Sequence, residues 1–168
     1  ILQKKQPFFI PQFTDNVHYE AEVIVKINKL GKSIAAKFSP KYYDQISLGI
    51  DFTARDLQEE LKAKSLPWEK AKAFDGSAVI GNWLNKKSFD LQNLNFKLQR
   101  NGEVVQNGNT SDMLWQIDEL IEEISKTFTL KIGDIIFTGT PAGVGKVEIN
   151  DELKGFVEGE EVFSLRVK

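Results

Sequence analysis

A chain of 168 residues is long enough for one domain with a substantial core and too short for two comfortable ones. Hydrophobic residues make up 41% and the 22 basic and 24 acidic residues nearly cancel, so the net charge of −2 leaves no electrostatic footprint for nucleic acid. Without cysteine there are no disulfides, thiolate metal sites or cysteine nucleophile, and no apolar run approaches the ~18–20 residues that span a bilayer.

The sequence opens at Ile1 rather than at a methionine, inside Pro7-Phe8-Phe9-Ile10-Pro11, which reads as strand and loop. A native segment is therefore expected upstream, while residues 1–168 are read as a single domain without internal repeats. No signal peptide is recognisable, and a reducing, cytoplasmic setting is the expectation. His18 to Ile27 alternates as a strand does. Tyr19, Ala21, Val23, Val25 and Ile27 share one face, and His18, Glu20, Glu22 and Lys26 the other. After a turn at Asn28–Lys32, Tyr42–Ile50 is again β-compatible. Thr53-x-x-Asp56 has the spacing of a capping box and predicts a helix from Ala54 to about Lys64, stopped by Pro67. Asn101-Gly102 between two β-like runs predicts a hairpin. Thr110-Ser111-Asp112 predicts the cap of a second helix whose apolar stripe is Leu114, Ile117, Ile121, Ile124 and Phe128. Asp134–Phe137 and Glu161–Val167 close the chain as strands. Strands outnumber helices and connections are short, so the expected class is α+β, dominated by β-structure.

Three constellations could carry chemistry. Glu20 and Glu22, about 6.5–7 Å apart along one strand face, repel each other unless a cation lies between them. Either the face is solvated or the pair holds a hard divalent cation through its oxygens. Asp51 sits where the second strand meets the predicted helix, with Arg55 and Gln58 on one face of that helix. That arrangement is either a cap with a surface ion pair or an anion and metal site at the positive end of a helix dipole. The third is Thr138-Gly139-Thr140-Pro141-Ala142-Gly143-Val144-Gly145, whose glycines and hydroxyls suit an oxyanion. It is not a nucleotide phosphate loop, because the pattern anchored on Gly145-Lys146 requires Gly at 140 and Ser or Thr at 147. His18, the lone histidine, cannot build a zinc site or a histidine triad with partners from this chain.

His-x-Glu-x-Glu at 18–22, Gly-Ile-Asp-Phe-Thr-Ala-Arg-Asp-Leu-Gln at 49–58, Leu-Pro-Trp-x-x-Ala-Lys-x-Phe at 66–74 and Gly-Asp-Ile-Ile-x-Thr-Gly-Thr-Pro-x-Gly-Val-Gly at 133–145 occur in that order. Together they resemble the fumarylacetoacetate hydrolase family, closest to its acylpyruvate hydrolase branch, over Pro7–Lys168. The resemblance implies a mixed β-roll with a few short helices, forming one catalytic domain and commonly a homodimer. It implies Mg²⁺ or Mn²⁺ on Glu20, Glu22 and Asp51, and substrate contacts at Arg55, Gln58, Lys72 and Thr140, with Lys72 also catalytic. It further implies an upstream lid whose His-x-x-Glu pair acts as the base on water. The expected function is metal-dependent hydrolysis of a C–C bond in short 2,4-dioxo acids, through an enolate. The alternatives are decarboxylation or tautomerisation of related oxo acids such as oxaloacetate or 2-hydroxyhepta-2,4-dienedioate at the same site, or non-catalytic oxo-acid binding.

Overall fold

The stretch read as one strand is two. In the computed structural model, which describes Ile1–Lys168, β1 (Val17–Tyr19) and β2 (Ala21–Ile27) are separated at Glu20 and lie in different sheets. The long partner strand makes the same transfer. β3 (Tyr43–Asp51) pairs antiparallel with β2, from Ala21 opposite Ile50 to Ile27 opposite Tyr43, and β4 (Thr53–Ala54) then pairs with β1. Phe52 is the single residue between them, and it is pinned by stacking on Phe8 at 3.8 Å between ring centroids. Glu20 and Phe52 thus mark a seam at which two strands pass together from one sheet to the next.

α1 (Arg55–Ala63) and α2 (Glu69–Lys72) follow, then β5 (Ala78–Ile80) and β6 (Leu84–Asn85), which both pair with β3. β7 (Asn95–Arg100) and β8 (Glu103–Asn109) form the expected hairpin, with positive φ at both Asn101 (54°) and Gly102 (87°), as a type I′ turn requires. α3 (Ile117–Thr127) precedes β9 (Ile135–Phe137), which pairs with β2, and β10 (Gly145–Lys146), which pairs with β1. β11 (Glu152–Val157) and β12 (Glu160–Arg166) complete a four-stranded sheet in the order β12-β11-β7-β8. The other two sheets are β5-β3-β2-β9, with β6 also on β3, and β10-β1-β4. The β-dominated α+β architecture is as expected. One core of 27 buried residues, including Val23, Val25, Leu48, Ile50, Leu98 and Leu153, runs between the sheets.

One open alternative is removed and two local expectations are corrected. The face of β2 carrying Glu22 is not solvated: Ile24 is fully buried, and Glu20 and Glu22 are only 7% and 6% exposed. Thr53 does not cap α1, because Ala54 holds that position without a side-chain bond and the Thr53 hydroxyl turns back to the Asp51 carbonyl. The carboxylate of Asp56 instead accepts from the Thr14 hydroxyl and the Asp15 and Leu57 amides, tying the helix start to the N-terminal segment. The second helix begins seven residues beyond Thr110, at Ile117, where the Glu119 carboxylate accepts from the Gln116 amide; Thr110–Asp112 is a separate 3₁₀ turn. Leu114 and Phe128 therefore leave the stripe and face outward, and the buried residues of α3 are Ile117, Ile121 and Ser125.

Candidate metal and oxo-acid site

The seam gathers the acidic side chains. The Asp51 amide donates to the Glu20 carbonyl at 2.9 Å, so the end of β3 lies level with the break, and Glu22 is two residues further along β2. One carboxylate oxygen from each of Glu20, Glu22 and Asp51 lies within 4.8 Å of the others. Three carboxylates so close demand positive charge. Lys72, at the end of α2, donates its Nζ to Glu20 Oε2 at 2.5 Å and to Asp51 Oδ2 at 2.7 Å. Arg55, the first residue of α1, pairs with the other oxygen of Glu20 and donates Nη1 to Gln58 Oε1 at 2.6 Å. Gln58 is the one buried residue of α1. The helix is thus docked on the site through an amide rather than through an apolar stripe.

The titration of these groups follows from that network. Burial pushes the Glu20 carboxyl up, but the bonds and charges of Lys72 and Arg55 outweigh it and leave Glu20 below its usual range. Burial raises Asp51 despite its bond to Lys72. Burial also lifts Glu22 to about 7; the Gly139 N–H bonded to its Oε2 at 2.7 Å opposes the rise, and the charges of Asp51 and Glu20 add to it. Lys72 is held above its ordinary value by Asp51 and Glu20, against the effect of its burial. An all-oxygen donor set, buried and short of positive charge at Glu22, fits a hard divalent cation such as Mg²⁺ or Mn²⁺. Glu20, Glu22 and Asp51 would hold it.

Six of the seven expected site residues thus share one network. Thr140 joins from the loop after β9. Its hydroxyl donates to the Ala21 carbonyl at 2.9 Å, while the neighbouring Gly139, at φ 101°, gives its amide to Glu22. The residue missed from the sequence is Gln106 on β8, 1% exposed, whose amide ties this loop to β2. Its one signal was a polar side chain inside a hairpin strand. His18 is not part of the cluster: its Nε2 is held by Asn16 Oδ1 at 2.9 Å, and burial and the Arg55 charge lower its pKa. A cavity of about 650 Å³ lies along the Thr138–Ala142 loop, walled opposite by Met113, Leu114 and Trp115, and includes none of the three carboxylates.

The model of the fumarylacetoacetate (FAA) hydrolase C-terminal family matches residues 1–167. The chain belongs to that family. It is 40% identical over 163 residues to a mitochondrial oxaloacetate tautomerase of Bos taurus, covering 96% of this chain and 73% of the relative. It is 39% identical over 160 residues to an oxaloacetate tautomerase of Escherichia coli, covering 94% of this chain and 73% of that protein. Among solved structures it is similar to the fumarylpyruvate hydrolase of Pseudomonas aeruginosa in complex with Mn²⁺ and pyruvate. The TM-score is 0.91 at 35% identity, covering 96% of this chain and 70% of that one. The family contains hydrolases and tautomerases alike, built on one β-rich fold.

Proposed function

We propose that this protein is a divalent-cation-dependent enzyme of short 2-oxo acids that interconverts the keto and enol forms of oxaloacetate. The observation that carries the reading is the set of three carboxylates within 4.8 Å, bracketed by Lys72 and Arg55. Similarity to two oxaloacetate tautomerases at 40% and 39% identity, against 35% to a fumarylpyruvate hydrolase, supports tautomerisation over the acylpyruvate hydrolysis expected from the motifs. Tautomerisation needs no attacking water, only a proton moved between C3 and the 2-oxo oxygen.

A cation on Glu20, Glu22 and Asp51 would supply Lewis-acid polarisation of the 2-oxo group. The chain's own groups do the rest. An ammonium has three N–H donors; Lys72 gives two to Glu20 and Asp51, and a cation taking those oxygens would release them for the oxygen that gains charge as C3 loses its proton. The Arg55 guanidinium, held in orientation by Glu20 and Gln58, presents its remaining donors to a substrate carboxylate. Gln58 fixes that orientation from a buried position. One tautomerase relative is mitochondrial and the other comes from Escherichia coli, so the similarity assigns this chain no compartment.

The test follows the decay of enol absorbance of oxaloacetate with Mg²⁺, with Mn²⁺ and with chelator, beside a panel of acylpyruvates. Metal-dependent acceleration of ketonisation is expected. Metal-dependent cleavage of acylpyruvates with no effect on oxaloacetate would return the assignment to hydrolysis.

A further inference from the structure

β2 runs past the end of β9. The last paired residue of β9 is Phe137, opposite Ile24, and beyond it the chain peels away, leaving the amide and carbonyl of Ala21 without a strand partner on that side. Two side chains complete the edge. Gln106 Oε1 accepts from the Ala21 amide at 2.9 Å, and Thr140 Oγ1 donates to the Ala21 carbonyl at 2.9 Å. Gln106 Nε2 then donates to Thr140 Oγ1 at 2.9 Å and to the Pro141 carbonyl at 3.0 Å. This circuit permits one orientation of the amide, since the Ala21 N–H needs an acceptor and the Pro141 carbonyl needs a donor. It also fixes the hydroxyl. Receiving from Gln106, Thr140 can place its single proton only on Ala21, and one lone pair is left over.

A hydroxyl in that state cannot donate to a carboxylate oxygen. The Thr140 backbone N–H can, because it makes no hydrogen bond within the protein, while the Gly139 amide next to it is already given to Glu22. We propose that Gln106 is a positioning residue that sets the donor and acceptor polarity of this loop, so that the Thr140 amide, not its hydroxyl, meets the carboxylate of the bound oxo acid. The inference rests on the reading that such a ligand binds beside Glu20, Glu22 and Asp51. Gln106 acts from outside the metal set, on β8 of the four-stranded sheet, and so couples that sheet to the site.

Oxalate is the probe, with the Mg²⁺-loaded protein in calorimetry and Mg²⁺ alone as the second titrant. Gln106→Glu keeps an acceptor for Ala21 and loses both donors. It should bind oxalate about tenfold more weakly, raise KM for oxaloacetate more than it lowers kcat, and leave Mg²⁺ affinity within about threefold. Gln106→Glu combined with Thr140→Val should bind oxalate no more weakly than Thr140→Val alone. Hydrogen exchange of the wild-type protein keeps the proposal testable where a variant does not fold: oxalate should slow exchange at the Thr140 amide. Wild-type oxalate affinity in Gln106→Glu, multiplying losses in the double variant, or unchanged Thr140 exchange with oxalate bound would each overturn the role of Gln106. Wild-type protein that binds Mg²⁺ but no oxalate would instead overturn the functional reading beneath it.

Discussion

On the proposed reading, Lys72 competes with the cation for oxygens of Glu20 and Asp51. Its Nζ bonds two of the three carboxylates proposed to hold the cation, and it is only 21% exposed, so on that proposal an incoming ion must first displace an ammonium. Lys72→Met keeps the stem and removes that competitor. A hydrogen bond between charged groups contributes about 1.5–3 kcal/mol, and two that share one donor do not add fully, which puts the relief at about 2–3 kcal/mol. Mg²⁺ should therefore bind Lys72→Met roughly 30- to 150-fold more tightly than the wild type, although turnover is lost. The metal-free variant should pay in stability by about 3–5 kcal/mol, the usual result of leaving buried charge uncompensated, and recover it as Mg²⁺ is added. Calorimetry gives the affinity, and thermal unfolding with and without Mg²⁺ gives the recovery. Lys70→Met, which removes an exposed charge from the same short helix, controls for long-range Coulomb effects and should change affinity by less than about threefold. Equal or weaker Mg²⁺ binding by Lys72→Met would refute the competition.

Asp51→Asn keeps shape and hydrogen bonding but removes a ligand charge, and should weaken Mg²⁺ binding by about a hundredfold or more with the fold intact; calorimetry and circular dichroism check it. At Asp56, burial pushes the carboxyl up, but bonds from Thr14, Leu57 and Asp15 outweigh it and hold the group below its usual range. Its stabilisation is thus complete above the unfolded pKa and lost as pH falls through the folded one. Asp56→Ala should cost about 1–2 kcal/mol in urea unfolding at neutral pH, and the gap to wild type should narrow below about pH 4; a constant gap would exclude the ionised carboxylate as its source. Leu114, at 99% exposed, and Trp115 beside it leave apolar surface uncovered, and the expected homodimer should sediment at twice 19.0 kDa. A monomer at micromolar concentration would remove that expectation.

The acidic residues were legible in two steps: spacing and sign left the Glu20/Glu22 face either solvated or cation-binding, and the family resemblance placed a metal on Glu20, Glu22 and Asp51. Glu22 and Asp51 lie on β2 and β3 and Glu20 at the break between β1 and β2, and the fold brings one oxygen of each within 4.8 Å of the others. The hairpin at Asn101-Gly102 was equally readable, since its turn depends on two residues alone. Gln106 was not, for a reason of register. A regular ladder from that turn would set Leu98 opposite Val105 and turn Gln106 outward. A bulge between Leu98 and Gln99 inserts Val105 as the extra residue, so Leu98 faces Gln106 and the amide points inward. The helix starts failed similarly. Thr53 and Thr110 have capping side chains, but the distant partners Thr14 and Asp56 settle the first start, and Gln116 with Glu119 the second. Long-range bonds removed the first candidates: Thr14 engages Asp56 at α1, and the Leu94 amide donates to the Thr110 hydroxyl, leaving the local Gln116–Glu119 pair to begin α3.

The break at Glu20 ties these points to function. On an unbroken strand Glu20 and Glu22 would stand about 6.5–7 Å apart with parallel side chains. Interrupting the strand frees Glu20 to turn towards Asp51, and the sheet change at Phe52 brings the end of β3 to the same level. The resulting crowding of negative charge is opposed by groups from three separate elements: Arg55 at the start of α1, Lys72 at the end of α2, and the Gly139 amide after β9. Each of those elements is short or irregular, and none has an apolar face large enough to fix its own position. The carboxylates therefore do two things. They form the set that fits a cation, and by attracting Arg55, Lys72 and Gly139 they dock the segments that would handle the substrate. Neutralising the cluster should loosen α1, α2 and the 138–142 loop together, with little effect on the β2–β3 ladder beneath them.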